Sequence, residues 1–314
     1  MAVPEAFAPV AITTRSGFDE SVHFGAVVCL GASGQVEHTI GDPSVEIYPR
    51  SSMKPLQATA MVRNGLRLPP RLLALVCASH DGTPTHVAAA GQILATAGLT
   101  EDDLANTPGL PLDAASAQQI LCGGGGPARV TMNCSGKHSG MLATCVINGW
   151  DADATYLHPD HPLQAAITAT VDELAEETHL HIGIDGCGAP AHVISLIGLA
   201  RAFRAIAIEG AAVAEAMTGY PVMVGGRERD VTRLMDQVPG LLAKDGAEGV
   251  FAAALPDGRA VAVKIADGAG RARIPVMLAA LSRIGINVDE LRALLAAPVL
   301  GHGQPVGEVR ALSA

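Results

Sequence analysis

The chain has 314 residues, 49% hydrophobic and 17% charged, which is enough to bury a large core in one big domain and too apolar for a disordered chain. Its 21 basic against 31 acidic side chains leave a net charge of -10, which repels phosphate backbones and anionic headgroups and argues against nucleic acid or a membrane surface as partner. The first residues lack a positive n-region, and apolar runs stop short of the roughly 18 residues a span needs, so a cytoplasmic protein with its six cysteines as thiols is expected.

In chain order, β-rich runs at 22–30 and 35–40 flank Gly31-Ala32-Ser33-Gly34 and predict a hairpin. Apolar periodicity then predicts helices over 51–64, 71–78, 86–97, 136–148, 162–177 and 194–206. Glycines cluster at 122–127, 185–188 and 225–226. None completes a phosphate loop: a Walker motif ending at Gly136-Lys137 would need Gly at 131 and a hydroxyl at 138, where Thr131 and His138 stand. A second hairpin is predicted at 250–255 and 260–265 around Pro256-Asp257-Gly258-Arg259, with two helices after Arg271. The pattern suggests one α+β domain over 1–314: an antiparallel sheet built from both chain ends (about 20–50 and 245–285), flanked by helices, with a helical lobe in the middle.

Arginine outnumbers lysine 17 to four. Lysines that persist in such a composition are candidates for work arginine cannot do, above all losing a proton. In Arg50-Ser51-Ser52-Met53-Lys54-Pro55, a helix starting at Ser51 puts Lys54 one turn later on the same face. Serine as nucleophile and lysine as its base fit this spacing, and the helix entry aims N–H groups at developing negative charge. The base must be neutral, which its reference pKa of about 10.4 opposes. Burial or a second cation must assist, and Lys264, on a predicted strand, is the candidate cation. An ordinary helix cap with a solvated lysine is the alternative.

A second cluster is Asn133-Cys134-Ser135-Gly136-Lys137-His138, with Cys187 in a distant glycine loop. Thiolates are good zinc ligands and a neutral lysine amine an uncommon one. Buried thiols beside tight turns, with His138 as a satisfied polar residue, are the alternative. Ser79-His80-Asp81 offers a further hydroxyl but not a triad, since sequence neighbours do not line up as one.

Taken in order, Tyr48-Pro49-Arg50-Ser51-Ser52-Met53-Lys54-Pro55-Leu56-Gln57, Cys77-Ala78-Ser79-His80, Met132-Asn133-Cys134-Ser135-Gly136-Lys137-His138-Ser139-Gly140-Met141, Asp185-Gly186-Cys187-Gly188-Ala189-Pro190, Met223-Val224-Gly225-Gly226, Lys244-Asp245-Gly246-Ala247-Glu248-Gly249-Val250 and Lys264-Ile265-Ala266-Asp267-Gly268 resemble the Rhizobium-type, thermolabile L-asparaginase family (asparaginase II) over roughly residues 20–285. The resemblance implies a serine β-lactamase and DD-peptidase-like fold, a homodimer, and hydrolysis of L-asparagine to L-aspartate and ammonia. It implies Ser51 as nucleophile, Lys54 as base, Ser79 as auxiliary hydroxyl and Lys264 as second lysine. Arg50, His80, Asn133, Asp185 and Gly186 would contact substrate, and Cys134, Lys137 and Cys187 would hold an accessory zinc. Asp81-Gly82-Thr83 and Thr218-Gly219-Tyr220-Pro221-Val222 depart from the family's more common Ser-Gly-Glu and Ser-Gly-x-Pro-Glu. A related Ser/Lys hydrolase of glutamine or a β-lactam, or a zinc-stabilised binding protein, are the other functions considered.

Overall fold

Strands lie near both ends of the described residues. In a computed structural model, which describes residues 4–209, 212–296 and 298–312, the order is β1 (Ala8–Arg15), β2 (Phe18–Leu30), β3 (Val36–Ile40) and β4 (Glu46–Ile47), then α1 (Lys54–Arg63), α2 (Pro70–Val76), α3 (Pro84–Thr96), α4 (Ala114–Cys122), α5 (Ser135–Asn148) and α6 (Pro162–Ala175). There follow β5 (His181–Ile184), β6 (Pro190–Ser195), α7 (Leu196–Ile208), α8 (Ala212–Gly219), α9 (Pro221–Val224) and α10 (Asp230–Gln237). The chain closes with β7 (Leu242–Asp245), β8 (Val250–Ala254), β9 (Ala260–Ile265), α11 (Arg273–Arg283), α12 (Asp289–Leu294), β10 (Pro298–Gly301) and β11 (Gln304–Ala311).

The main sheet runs β10-β11-β1-β2-β9-β8-β7, with β3 also pairing β2, and every pairing in it is antiparallel. β4, β6 and β5 form a small second sheet. α7 covers one face of the central strands and α11 packs against them as well. That double cover explains why β8, Val250-Phe251-Ala252-Ala253-Ala254, is buried at every position and carries no polar alternation. α1 is likewise enclosed: Lys54 through Met61 are all buried, between α2, α5, α6 and α7. Its polar members, Lys54, Gln57 and Thr59, are buried with the rest, and Lys54 and Thr59 find hydrogen-bond partners inside.

The architecture is the expected α+β sheet built from both chain ends. Its extent differs. The sheet begins at Ala8 rather than near residue 20, and β10 and β11 continue it to Ala311. The helix expected over 194–206 starts at Leu196, because Pro190–Ser195 pair as β6 and the Ser195 hydroxyl caps the helix by accepting from Gly198 N at 2.9 Å. The glycine run at 122–127 is an exposed loop after α4. Among the described residues no helix is long and apolar enough to cross a membrane.

Candidate active site

Ser51 lies in a 3-10 turn, Arg50–Met53, that feeds α1, so the α-helix begins at Lys54 and not at Ser51. Pro55 falls in the first turn of α1, where an N–H has no intrahelical partner to lose. Arg50 holds a left-handed conformation, φ 54°, which costs a residue with a Cβ about 1–2 kcal/mol. Asp185 offsets this by accepting from Arg50 Nε at 2.8 Å. Ser51 is partly exposed, while Lys54 is 1% exposed. The Lys54 amine donates to Ala78 O at 2.5 Å and to Ser79 Oγ at 3.1 Å. Among the described residues the Lys54 amine is thus bonded to Ser79 and not to Ser51, which lies one turn earlier in the chain.

Ser79-His80-Asp81 follows α2 as an irregular segment laced to its neighbours by backbone bonds. Ser79 N donates to Val224 O, Asp81 N to Gly225 O and His80 N to Asn133 O. This is the physical link between three separate motifs. His80 itself is not available to a substrate: it is fully buried, Nδ1 accepts from Gly82 N at 3.1 Å and Nε2 meets Ser135 Oγ at 3.0 Å. Burial, followed by the neighbouring His86 and Lys54, pushes its pKa well below the usual imidazole value. The expectation of substrate contact by His80 is corrected to a framework role. Asn133 gives its backbone carbonyl to His80 and its Oδ1 to the Cys134 thiol at 3.2 Å.

The two lysines of the C-terminal strands, Lys264 and Lys244, sit in different surroundings. Lys264 sits on β9, two strands in from the sheet edge, and its amine donates to the carbonyls of Glu248 and Ile265 at 2.7 and 2.5 Å. Nothing among the described residues joins it to Lys54. Lys244, on the edge strand β7, is fully buried and its amine donates to Asp245 Oδ1 at 2.5 Å and Asp245 O at 2.7 Å. Burial first, then the charges of Lys54 and Arg229, bring its pKa down to about 8, against the pull of Asp245. Ser52 Oγ donates to Lys244 O at 3.0 Å, which pins β7 to the Ser51 turn. Gly246 is required there, because a Cβ would lie 2.4 Å from Pro49 O. The signal for Lys244 was present in its flanks: a lysine after Leu241-Leu242-Ala243 and before Asp245-Gly246 is a charge set among buried neighbours.

Cys134, Lys137 and Cys187 do come together, all buried. Lys137 Nζ donates to Cys187 Sγ at 3.2 Å, and Asp185 Oδ2 is 3.8 Å from the same sulfur. The neighbouring Cys134 thiol does most to favour the Cys187 thiolate, against burial and with help from Lys137 and His138. The same closeness raises Cys134 well above the usual thiol value. Burial opposes the Lys137 ammonium, but Cys187, Cys134 and Asp185 hold its pKa up. The donor chemistry, two sulfurs and an amine in contact, suits a soft divalent ion once the amine and thiols give up their protons. Among the described residues no three His, Cys, Asp or Glu side chains group as a metal site. His138 Nδ1 meets Tyr156 OH at 2.7 Å, and its ring also favours the charged form of the Cys187 sulfur.

The two clusters share one small cavity of about 10 Å³, lined by Arg50, Lys54, Lys137, Asp185 and His192 among others. Gly186 stands at its exposed rim, 3.9 Å from Arg50 Nη2 to the place of a Cβ. Larger cavities lie elsewhere, including one of about 560 Å³ between α11 and the sheet. Several of the candidate residues therefore line a narrow polar crevice and not the larger voids.

Similar solved structures include Mglu in its native form (12% identity, TM-score 0.45), of which this chain spans 64% of the length while 85% of this chain is matched. The glutamate form of Mglu gives 15% identity, a TM-score of 0.43 and coverage of 88% of this chain and 63% of that one. A β-lactamase, Mb2281c from Mycobacterium bovis, gives 17%, 0.36, 78% and 88%. At such TM-scores these are likenesses of outline only. No curated protein sequence matches significantly. The family model for L-asparaginase II matches residues 11–311, and the chain belongs to that family.

Proposed function

We propose that this amidohydrolase cleaves the side-chain amide of L-asparagine through a covalent Ser51 intermediate. What carries the reading is the buried Lys54 amine held 3.1 Å from Ser79 Oγ, one turn from a partly exposed Ser51, in a chain of this family. Ser51 attacks the amide carbonyl; Lys54, through Ser79, takes the proton and returns it to the leaving ammonia; water then releases aspartate. Lys244 takes the part expected of Lys264. Burial and the charge of Lys54 together bring the Lys244 ammonium down to about 8, so its amine gives up a proton more readily than that of an exposed lysine. Arg50 and Asp185, of opposite sign at the crevice, suit the two charged ends of an α-amino acid.

Cys134, Lys137 and Cys187 are the residues that would hold zinc. When bound, the ion supplies a cross-link between α5 and the loop carrying Asp185. A cytoplasmic setting suits the six free thiols, and a homodimer is the assembly the family resemblance implies.

Ammonia release from asparagine, glutamine and a β-lactam, measured on one preparation of known zinc content, tests the reading. Ser51→Ala is expected to lose roughly a thousandfold or more on asparagine, and Lys244→Met far more than Lys264→Met. Full turnover by Ser51→Ala would sink the nucleophile, and a preference for glutamine would sink the substrate. Chelation that removes zinc should lower thermal stability more than it lowers the rate per folded molecule.

A further inference from the structure

Arg229 takes no part in that mechanism, yet it lies between two of its arms. Nη2 is 2.7 Å from Asp245 Oδ2 and Nη1 is 3.3 Å from Asp81 Oδ1. Asp245 follows Lys244 on β7 and gives that amine its other oxygen at 2.5 Å. Asp81 ends the segment that carries Ser79, and is one of the chain's departures from the family pattern. Gly226 makes room for it, since a Cβ there would come within 1.8 Å of Asp81 Oδ2.

One carboxylate is thus shared among cations. Burial disfavours the charged form of Asp245, but Lys244, Arg229 and Arg273 hold its pKa well below the usual carboxylate range. Arg273 lies at 3.7 Å and is itself anchored by Asp230 at 2.9 Å. The groups facing Lys244 are Asp245 on its own strand, Lys54 from α1, Arg229 from the segment before α10, Arg273 of α11 through Asp245, and the Cys77 thiol after α2. Burial pushes Cys77 up to about 12, so it stays neutral. Among these, Arg229 has two effects of one sign. It repels the Lys244 ammonium and draws on the carboxylate that would stabilise it. Asp81 works against both, because it engages the other half of the guanidinium.

We propose that Arg229, held by Asp81, is a positioning residue that sets how firmly Lys244 keeps its proton by sharing Asp245 with it. The proposal rests on Lys244 being the second lysine of the site, but its test reads the lysine directly and not turnover. The balance also predicts opposite responses to removing the two partners. Loosened packing would instead move Lys244 towards the value of an exposed lysine in both cases.

With four lysines in the chain, 13Cε-lysine labelling of the full-length protein gives an NMR titration of each, and Lys244→Arg identifies its signal. Wild-type Lys244 is expected to titrate near about 8. Arg229→Gln should raise the midpoint by about one pH unit, Asp81→Asn should lower it by roughly half a unit, and Arg229→Lys should restore most of the wild-type value. Shifts of the same sign, or none, overturn the proposal. Should Arg229→Gln fail to fold, Asp81→Asn decides alone: a downward shift supports it and any other result overturns it. If the shifts appear while Lys244→Met keeps full activity, the coupling stands and the catalytic reading of Lys244 falls.

Discussion

Three of the four lysines are buried, and each is held by a different chemistry: Lys54 by a hydroxyl and a carbonyl, Lys137 by a thiolate, Lys244 by a carboxylate. Lys244 carries a measurable consequence. Its pKa of about 8 lies below the ordinary lysine value of 10.5, so between those values the unfolded chain binds more protons than the folded one. Stability from this residue is therefore withheld below about pH 8 and gained as pH rises towards 10.5. Denaturant midpoints of wild type and Lys244→Met at pH 7 and pH 10 should differ in that sense, with a total effect on the order of 3 kcal/mol; a pH-independent difference would contradict it. Scarcity of lysine was a sound guide to which residues to weigh. It could not choose between Lys264 and Lys244, because both stand in apolar runs ahead of Asp and Gly. In the reading proposed here strand position supports Lys244, since the edge strand is pinned to the Ser51 turn by the Ser52 bond to Lys244 O.

Among the elements, β6 and α7 meet at a junction that sequence periodicity alone blurs. Val193-Ile194-Ser195-Leu196 is apolar enough for either state. Ser195 resolves it, with Oγ accepting from Gly198 N at 2.9 Å and donating to Glu177 Oε2 at 2.7 Å. Ser195→Ala should cost about 1–2 kcal/mol in chemical denaturation with turnover of the folded enzyme unchanged; equal loss of turnover would mean the junction reaches the site. The strong hairpins β2–β3 and β8–β9 were legible from turn residues between β-rich runs. β7, β10 and β11 were not, because four-residue strands and a strand containing Pro305 and Gly307 carry little local signal. Their pairing partners supply what propensity lacks. The α-helix was placed three residues too early, at Ser51 rather than Lys54, since a 3-10 entry and an α-helical entry share the same residue preferences.

For the molecule as a whole, β11 closes the side of the sheet that β1 would otherwise expose, pairing Ala11, Ile12 and Thr13 with Ala311, Arg310 and Val309. A chain ending before Pro298 should show a lower melting temperature and concentration-dependent light scattering, because an unpaired strand edge recruits other chains; a truncated form as stable and monodisperse as the full one would refute this. That both ends form one sheet was visible in the sequence, as was the helical middle. Which motifs converge was not, since the convergence depends on backbone bonds from Ser79, His80 and Asp81 to Val224, Asn133 and Gly225.

The contact of Gly246 with the Pro49 carbonyl, tolerable only without a side chain, joins residues far apart in the order of synthesis. Contacts of such separation form late and slowly. On the reading proposed here, a nascent chain carries Ser51 and Lys54 long before Lys244 emerges, so the nucleophile is made early and armed last. A stalled or prematurely released fragment would be catalytically silent, and free asparagine near the ribosome would meet no half-built hydrolase.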